Sequence, residues 1–173
     1  MSWKRDSFEI SMDPSLIPLD TLNSFFSSTE MYWASPLPVE ELQNLIKRSA
    51  CFGLYEMSDS RRQCHENEND QYHNISHSGT HKLIGFARWI TDTVTVNYLT
   101  DVYLLPSYRG QGLGIWMMRC IDEMFKSMPY VRGMIMIADK GSVSEGLYRR
   151  HLAMDDLERP AILLDRKGVG AAH

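Results

Sequence analysis

The chain has 173 residues, 43% of them hydrophobic and 23% charged, with a formal net charge of −4. That length builds one domain able to bury a core without disulfides or a metal, and the acidic balance argues against nucleic acid as a partner. Three cysteines (Cys51, Cys64, Cys120) make no paired or CxxC pattern, residues 1–20 hold no apolar signal segment, and no run reaches the roughly 18 apolar residues of a membrane span, so a cytoplasmic protein with no membrane partner is expected.

The alternation of Phe8-Glu-Ile-Ser-Met12 predicts a first strand, ended by Asp13-Pro14. A helix is expected from Thr21 to Ser27, with Asp20 as its cap and Phe25 and Phe26 on a core-facing side. Pro38 opens a second helix, Val39 to Arg48, with Leu42, Leu45 and Ile46 on one face. Cys51-Phe-Gly-Leu-Tyr55 is a short apolar strand. Residues 57–81 are polar and aperiodic and are expected to form a flexible, solvent-exposed insertion.

Lys82 to Thr91, a turn at Asp92, and Val94 to Leu105 predict an antiparallel hairpin. Apolar residues at helical spacing from Leu113 to Phe125 predict a helix. Met134-Ile-Met-Ile137 is expected to be a buried strand, Ser142 to His151 a shorter helix, and Ala161-Ile-Leu-Leu164 a final strand. Residues 168–173 are expected to form a flexible tail.

The chemistry concentrates in Leu99-Thr-Asp-Val-Tyr-Leu-Leu-Pro-Ser-Tyr-Arg-Gly-Gln-Gly-Leu-Gly-Ile115. A strand there breaks at Pro106 and turns, through Arg109, Gly110, Gln111, Gly112 and Gly114, into a helix. The first N–H groups of a helix lack intrahelical partners and carry the positive end of its dipole, so such a turn suits phosphate oxygens. Neither a Walker loop nor a dinucleotide fingerprint fits: GxxxxGK is absent, and the glycines sit late in the chain without the GxGxxG spacing.

The pattern Arg109-x-x-Gly112-x-Gly114, after a strand and a proline, resembles the GNAT superfamily of acyl-CoA-dependent N-acetyltransferases. The order β, α, α, β, β, β, α, β, α, β extends the resemblance over nearly the whole chain, as do Leu83-Ile-Gly-Phe-Ala-Arg88, Tyr98-Leu-Thr-Asp-Val-Tyr-Leu104 and Gly146-Leu-Tyr148. One departure is plain: relatives carry Gly-Phe four and five residues after that tyrosine, where this chain has Leu152 and Ala153. The resemblance implies an α+β (α/β) fold with a mixed, mostly antiparallel central sheet flanked by helices on both faces. It also implies acetyl transfer from acetyl-CoA to a small-molecule primary amine, without a metal, by a monomer or homodimer. Acceptors on protein, or a non-catalytic acyl-CoA sensor, are the alternatives.

The residues that follow from the resemblance fall into three groups. Acetyl-CoA would lie on the backbones of Val102 and Leu104, on the turn from Arg109 through Gly110, Gln111, Gly112, Leu113, Gly114 and Ile115, and on Ser144. Catalysis would use the N–H of Leu104 on the acyl oxygen, Tyr148 as acid toward the thiolate, and Asp101 as base, unless Tyr148 merely packs on the sheet and Asp101 is structural. Strand alternation puts Asp101 on one face with Leu99, Tyr103 and Leu105, and Tyr98, Thr100, Val102 and Leu104 on the other. Tyr32, Trp33, Arg88 and Tyr98 would meet the acceptor, Arg88 through a carboxylate unless it is an exposed edge arginine. The series Cys64, His65, His73, His77 and His81 offers metal-type donors, but Asn74, Ser76, Ser78 and Gly79 argue against a helix that would align them.

Overall fold

In the computed structural model, residues 1–58 and 80–157 are described. The N-terminus forms a hairpin the sequence pattern did not indicate: β1 (Ser2–Arg5) pairs with β2 (Phe8–Ser11), Arg5 opposite Phe8. Two helices follow, α1 (Leu19–Phe26) and α2 (Val39–Lys47). Asp20 lies inside the first turn of α1 and Pro18 is its N-cap, so Asp20 favours the dipole rather than capping as expected.

Four further strands complete an antiparallel run closed by one parallel pair. β3 (Ala50–Ser58) pairs with β2 and with β4 (Thr80–Thr91), β4 with β5 (Val96–Leu104), and β5 runs parallel to β6 (Gly133–Ile135). The six strands lie in the order β1-β2-β3-β4-β5-β6. Met57, Ser58, Thr80 and His81, expected in the polar insertion, extend β3 and β4 in register with each other. The rest of that insertion, the expected strand Ala161 to Leu164 and the tail lie outside the described residues.

Helices cover both faces. On one, α3 (Leu113–Lys126) and α4 (Val143–Leu152) close over Phe52, Leu54, Ile84, Trp89 and Leu99. On the other, Leu22, Phe25 and Phe26 of α1 and Leu42 and Ile46 of α2 close over Cys51, Tyr55, Leu83 and Phe86. The Tyr55 ring lies over Gly53, where an added Cβ would come within 2.3 Å of the phenol oxygen. Only glycine leaves room for that fully buried ring. β6 is not the buried strand that its apolar residues suggest: it is three residues long, and Ile135 is 65% exposed.

Asp92 makes the β4–β5 turn as expected. Its Oδ1 accepts the N–H groups of Val94, Thr95 and Val96, and its Oδ2 the Thr95 hydroxyl. Thr95 above all, with those N–H groups, holds the carboxyl well below the ordinary carboxylate range.

Candidate active site

Two departures from regular sheet create the site. The first is a bulge: Phe86 opposes Tyr103 but Arg88 opposes Thr100, so the single residue Ala87 spans Asp101 and Val102. Asp101 takes φ 53° there, a left-handed conformation rare for a residue with a Cβ. The bulge inverts the strand's alternation. Leu99 belongs to the α3–α4 side, and after the bulge Val102 and Leu104 do too, whereas Tyr103 packs with α1. The grouping of Leu99 with Tyr103 on one face is therefore corrected; the reason is the inserted residue.

The second departure is an opening. β5 pairs with β6 only over Val96, Asn97 and Tyr98. From Leu99 to Leu104 that edge of β5 has no partner strand among the described residues, and it leads through a 3-10 turn at Pro106–Tyr108 to the glycine turn. Gly110 and Gly112 take φ +78° and +73°. A Cβ at either would be left-handed, the conformation that glycine adopts freely. The first intrahelical bond of α3 runs from Trp116 N to Gly112 O at 3.0 Å, so the N–H groups of Leu113, Gly114 and Ile115 precede the helix ladder. Leu113 is buried and Ile115 points outward, while Gly114 faces Leu147 of α4.

Arg109 does not point its guanidinium into that turn. It grips both Glu30 carboxylate oxygens (2.9 and 2.5 Å), donates from Nε to Leu104 O at 3.0 Å, and lies over the Tyr103 ring. Gln111 donates to Ser107 O. No motif or spacing in the sequence singles out Glu30. Its ion pair ties the segment after α1 to the end of β5.

That segment carries Tyr32 and Trp33 across the opening. The Trp33 indole donates to Asp101 Oδ1 at 3.3 Å, and the Tyr32 hydroxyl to Asp139 Oδ1, beyond β6, at 2.7 Å. Their rings meet edge to face, with centroids 5.1 Å apart. Asp139 likewise escaped the sequence reading, because a lone acid in a loop has no pattern.

Arg88 and Asp101 find each other rather than ligands. Arg88 Nε lies 2.6 Å from Asp101 Oδ2, with both side chains largely buried, and its Nη1 reaches Ser49 Oγ at 3.3 Å. Asp101 Oδ1 also accepts from Thr100. Arg88 is therefore not an exposed edge arginine, and Asp101 has the structural partners that were its alternative to a free base. β4 is an interior strand, and both Asp101 oxygens are engaged. Tyr98 sits half-buried on β5, two residues before Thr100.

Tyr148 is buried on α4, where burial pushes its phenol up to about 12 against a smaller opposing effect of the Ser144 hydroxyl one turn earlier. Cys51 and Cys120 are buried thiols, each pushed up to about 12 by desolvation. Among the described residues no three His, Cys, Asp or Glu side chains converge as a metal site. His81 lies on β4 beside Glu9, and the other members of its series are outside the described residues.

A model of the acetyltransferase (GNAT) family matches residues 38–153. A Gibberella zeae protein named as an acetyltransferase is 33% identical over 161 residues, which cover 90% of this chain and 83% of that one. A Xanthomonas campestris crystal structure, of a protein assigned to the same family, superposes with a TM-score of 0.67 at 24% identity, over 96% of this chain and 97% of that one. Arabidopsis thaliana NAA60, solved with a bisubstrate analogue, superposes with a TM-score of 0.55 at 15% identity, over 83% and 82%. At these identities the two structures speak for the fold.

Proposed function

The chain belongs to the acetyltransferase (GNAT) family, and from that premise we propose that it moves the acetyl group of acetyl-CoA to a primary amine by direct attack in a ternary complex. One observation carries the reading: the β5 edge from Leu99 to Leu104, without a partner strand among the described residues, runs straight into the glycine turn and the N-terminus of α3. An extended pantetheine arm with amide groups fits such an edge, and a diphosphate fits the N–H groups at its end.

The backbone of Val102 and Leu104 pairs with the pantetheine arm, and the N–H groups of Gly112, Leu113, Gly114 and Ile115 hold the diphosphate. The amine nitrogen attacks the thioester carbon as a neutral base. The Leu104 N–H donates to the oxygen on which charge develops. As the C–S bond breaks, the Tyr148 hydroxyl donates a hydrogen bond to the departing sulfur. A phenol at about 12 gives up its proton to a thiolate of ordinary basicity only against a roughly thousandfold equilibrium. Tyr148 therefore stabilises the thiolate, and water supplies the proton. With both Asp101 oxygens engaged, water also removes the proton from the amine. Among the described residues both thiols are buried and held protonated, which supports direct transfer without an acyl-enzyme.

Tyr32 and Trp33 form the acceptor wall, beside Tyr98. A small-molecule amine is the first reading. The 60% exposure of Tyr32 and 44% of Trp33 favours a second, a peptide amine lying in an open groove.

The test is CoA thiol release from acetyl-CoA against polyamines, aryl amines, amino acids and short peptides. Acceptor-dependent release that Gly112→Trp abolishes, and that Tyr148→Phe slows about 10- to 100-fold, is the expected result. No CoA binding by the wild type would overturn the proposal.

A further inference from the structure

The glycine turn is shaped from outside as well as by its own residues. Arg5, at the end of β1, brings its guanidinium against the turn from more than a hundred residues away in sequence. Its Nη2 donates to Gln111 O at 3.1 Å and its Nη1 to Gly112 O at 3.5 Å, while its Cζ stands 5.3 Å over the ring of Trp116 on α3. The two-residue turn Asp6–Ser7, with Asp6 at φ 52°, closes the hairpin immediately beyond Arg5, and Asp6 Oδ2 lies 3.9 Å from Arg5 Nε.

Peptide geometry makes these contacts directional. In a planar trans unit the carbonyl and the following N–H point in opposite directions. With the Gln111 and Gly112 carbonyls turned toward Arg5, the N–H groups of Gly112 and Leu113 are turned away from it. These are the donors at the mouth of α3. Glycines at 110 and 112 leave the intervening peptide planes free to rotate, and a plane rotated by half a turn would present a carbonyl oxygen to an anion. Arg5 opposes that rotation with a planar guanidinium fork, chiefly at the Gln111–Gly112 peptide, since the Gly112–Leu113 peptide is also held by the Trp116 N–H on Gly112 O. The turn's own arginine cannot do this, because Arg109 is engaged by Glu30 and Leu104 O.

We propose that Arg5 is a positioning residue for the diphosphate-binding turn: it touches no reacting atom, but fixes the peptide planes whose N–H groups hold the cosubstrate. The proposal rests on the acetyl-CoA reading above and makes the β1–β2 hairpin part of the cosubstrate site.

The experiment compares wild type, Arg5→Met and Arg5→Lys, using CoA titrated by calorimetry and inorganic pyrophosphate titrated by amide-resolved NMR. Methionine keeps an apolar stem against Trp116 and loses the fork; lysine restores the charge with a single donor group. Arg5→Met is expected to weaken CoA binding tenfold or more and to abolish the pyrophosphate-induced shift of the Gly112 amide, with lysine intermediate. Resonances of β3, β4 and α2 are expected to stay in place, which separates a local role from unfolding. CoA binding by Arg5→Met within twofold of wild type would overturn the proposal. So would an equal loss in both variants with shifts spread through the sheet, the signature of a detached hairpin. Wild type that binds neither CoA nor pyrophosphate would instead remove the acetyl-CoA reading on which the proposal stands.

Discussion

Asp101 is the residue at which side-chain chemistry and backbone geometry meet. It has an unusual φ because the bulge requires it, and its carboxylate faces Arg88 across 2.6 Å with Trp33 and Thr100 on the other oxygen. A buried ion pair adds little net stability, but removing one member leaves the other charged and unpaired. Asn tolerates the left-handed region and keeps an oxygen for the Trp33 indole. Asp101→Asn is therefore expected to lower unfolding free energy by about 2–4 kcal/mol, and Asp101→Asn with Arg88→Met to recover part of that loss. Urea unfolding of the single and double variants reads this directly. Below the variant's melting temperature, kcat should stay within about threefold of wild type, since removing a general base would cost roughly a hundredfold. A larger fall would restore Asp101 as the base.

Among the elements, α4 ends in a backbone conformation unusual for the residue that holds it. Its C-cap is Ala153, at φ 50° and ψ 42°, the left-handed conformation in which helices commonly place glycine. Ala153 thus takes, directly after the last helical residue Leu152, a conformation that glycine adopts without strain. Ala153→Gly removes the strain at that position and should stabilise the chain by about 1 kcal/mol, read as a higher urea midpoint at unchanged slope. An unchanged or lower midpoint would contradict it. The elements also differ in what the sequence could carry. α2, α3, α4 and the β4–β5 hairpin were legible because their apolar period, caps and turn residues are local signals. β1 was not, because Ser2-Trp-Lys-Arg5 has one large apolar residue and acquires its meaning only from the partner strand. The β5 bulge was invisible for a related reason: a residue inserted between strands leaves no mark in composition, yet it inverted the faces of Val102, Tyr103 and Leu104 relative to Leu99. In the site, the glycine turn was legible from its spacing. The contacts of Glu30, Asp139 and Arg5 were not, since they arise from segments brought together only by folding.

At the scale of the molecule, the two helix layers decide how stability responds to alkali. Cys51 lies on the sheet under α1 and α2, and Cys120 of α3 and Tyr148 of α4 are buried on the opposite face, so each face buries proton-bearing groups. Burial raises all three to about 12, against 9.0 for an exposed thiol and 10.0 for an exposed phenol. Well below pH 9 these groups keep their protons whether the chain is folded or not, and they make no pH-dependent contribution. Above it, the unfolded chain releases protons that the folded chain still holds. Unfolding is then favoured increasingly as pH rises, through the window that ends near pH 12. The urea midpoint is accordingly expected to fall steadily between pH 8.5 and 11 (a range bounded by roughly those thiol and phenol values). Cys51→Ala with Cys120→Ala should begin from a lower midpoint, because two core side chains are shortened, yet decline less steeply, because two of the buried groups no longer titrate while the buried phenols of Tyr55 and Tyr148 still do. Parallel slopes in the two proteins would show that the thiols ionise alike in both states, and the burial argument for both faces would fail together.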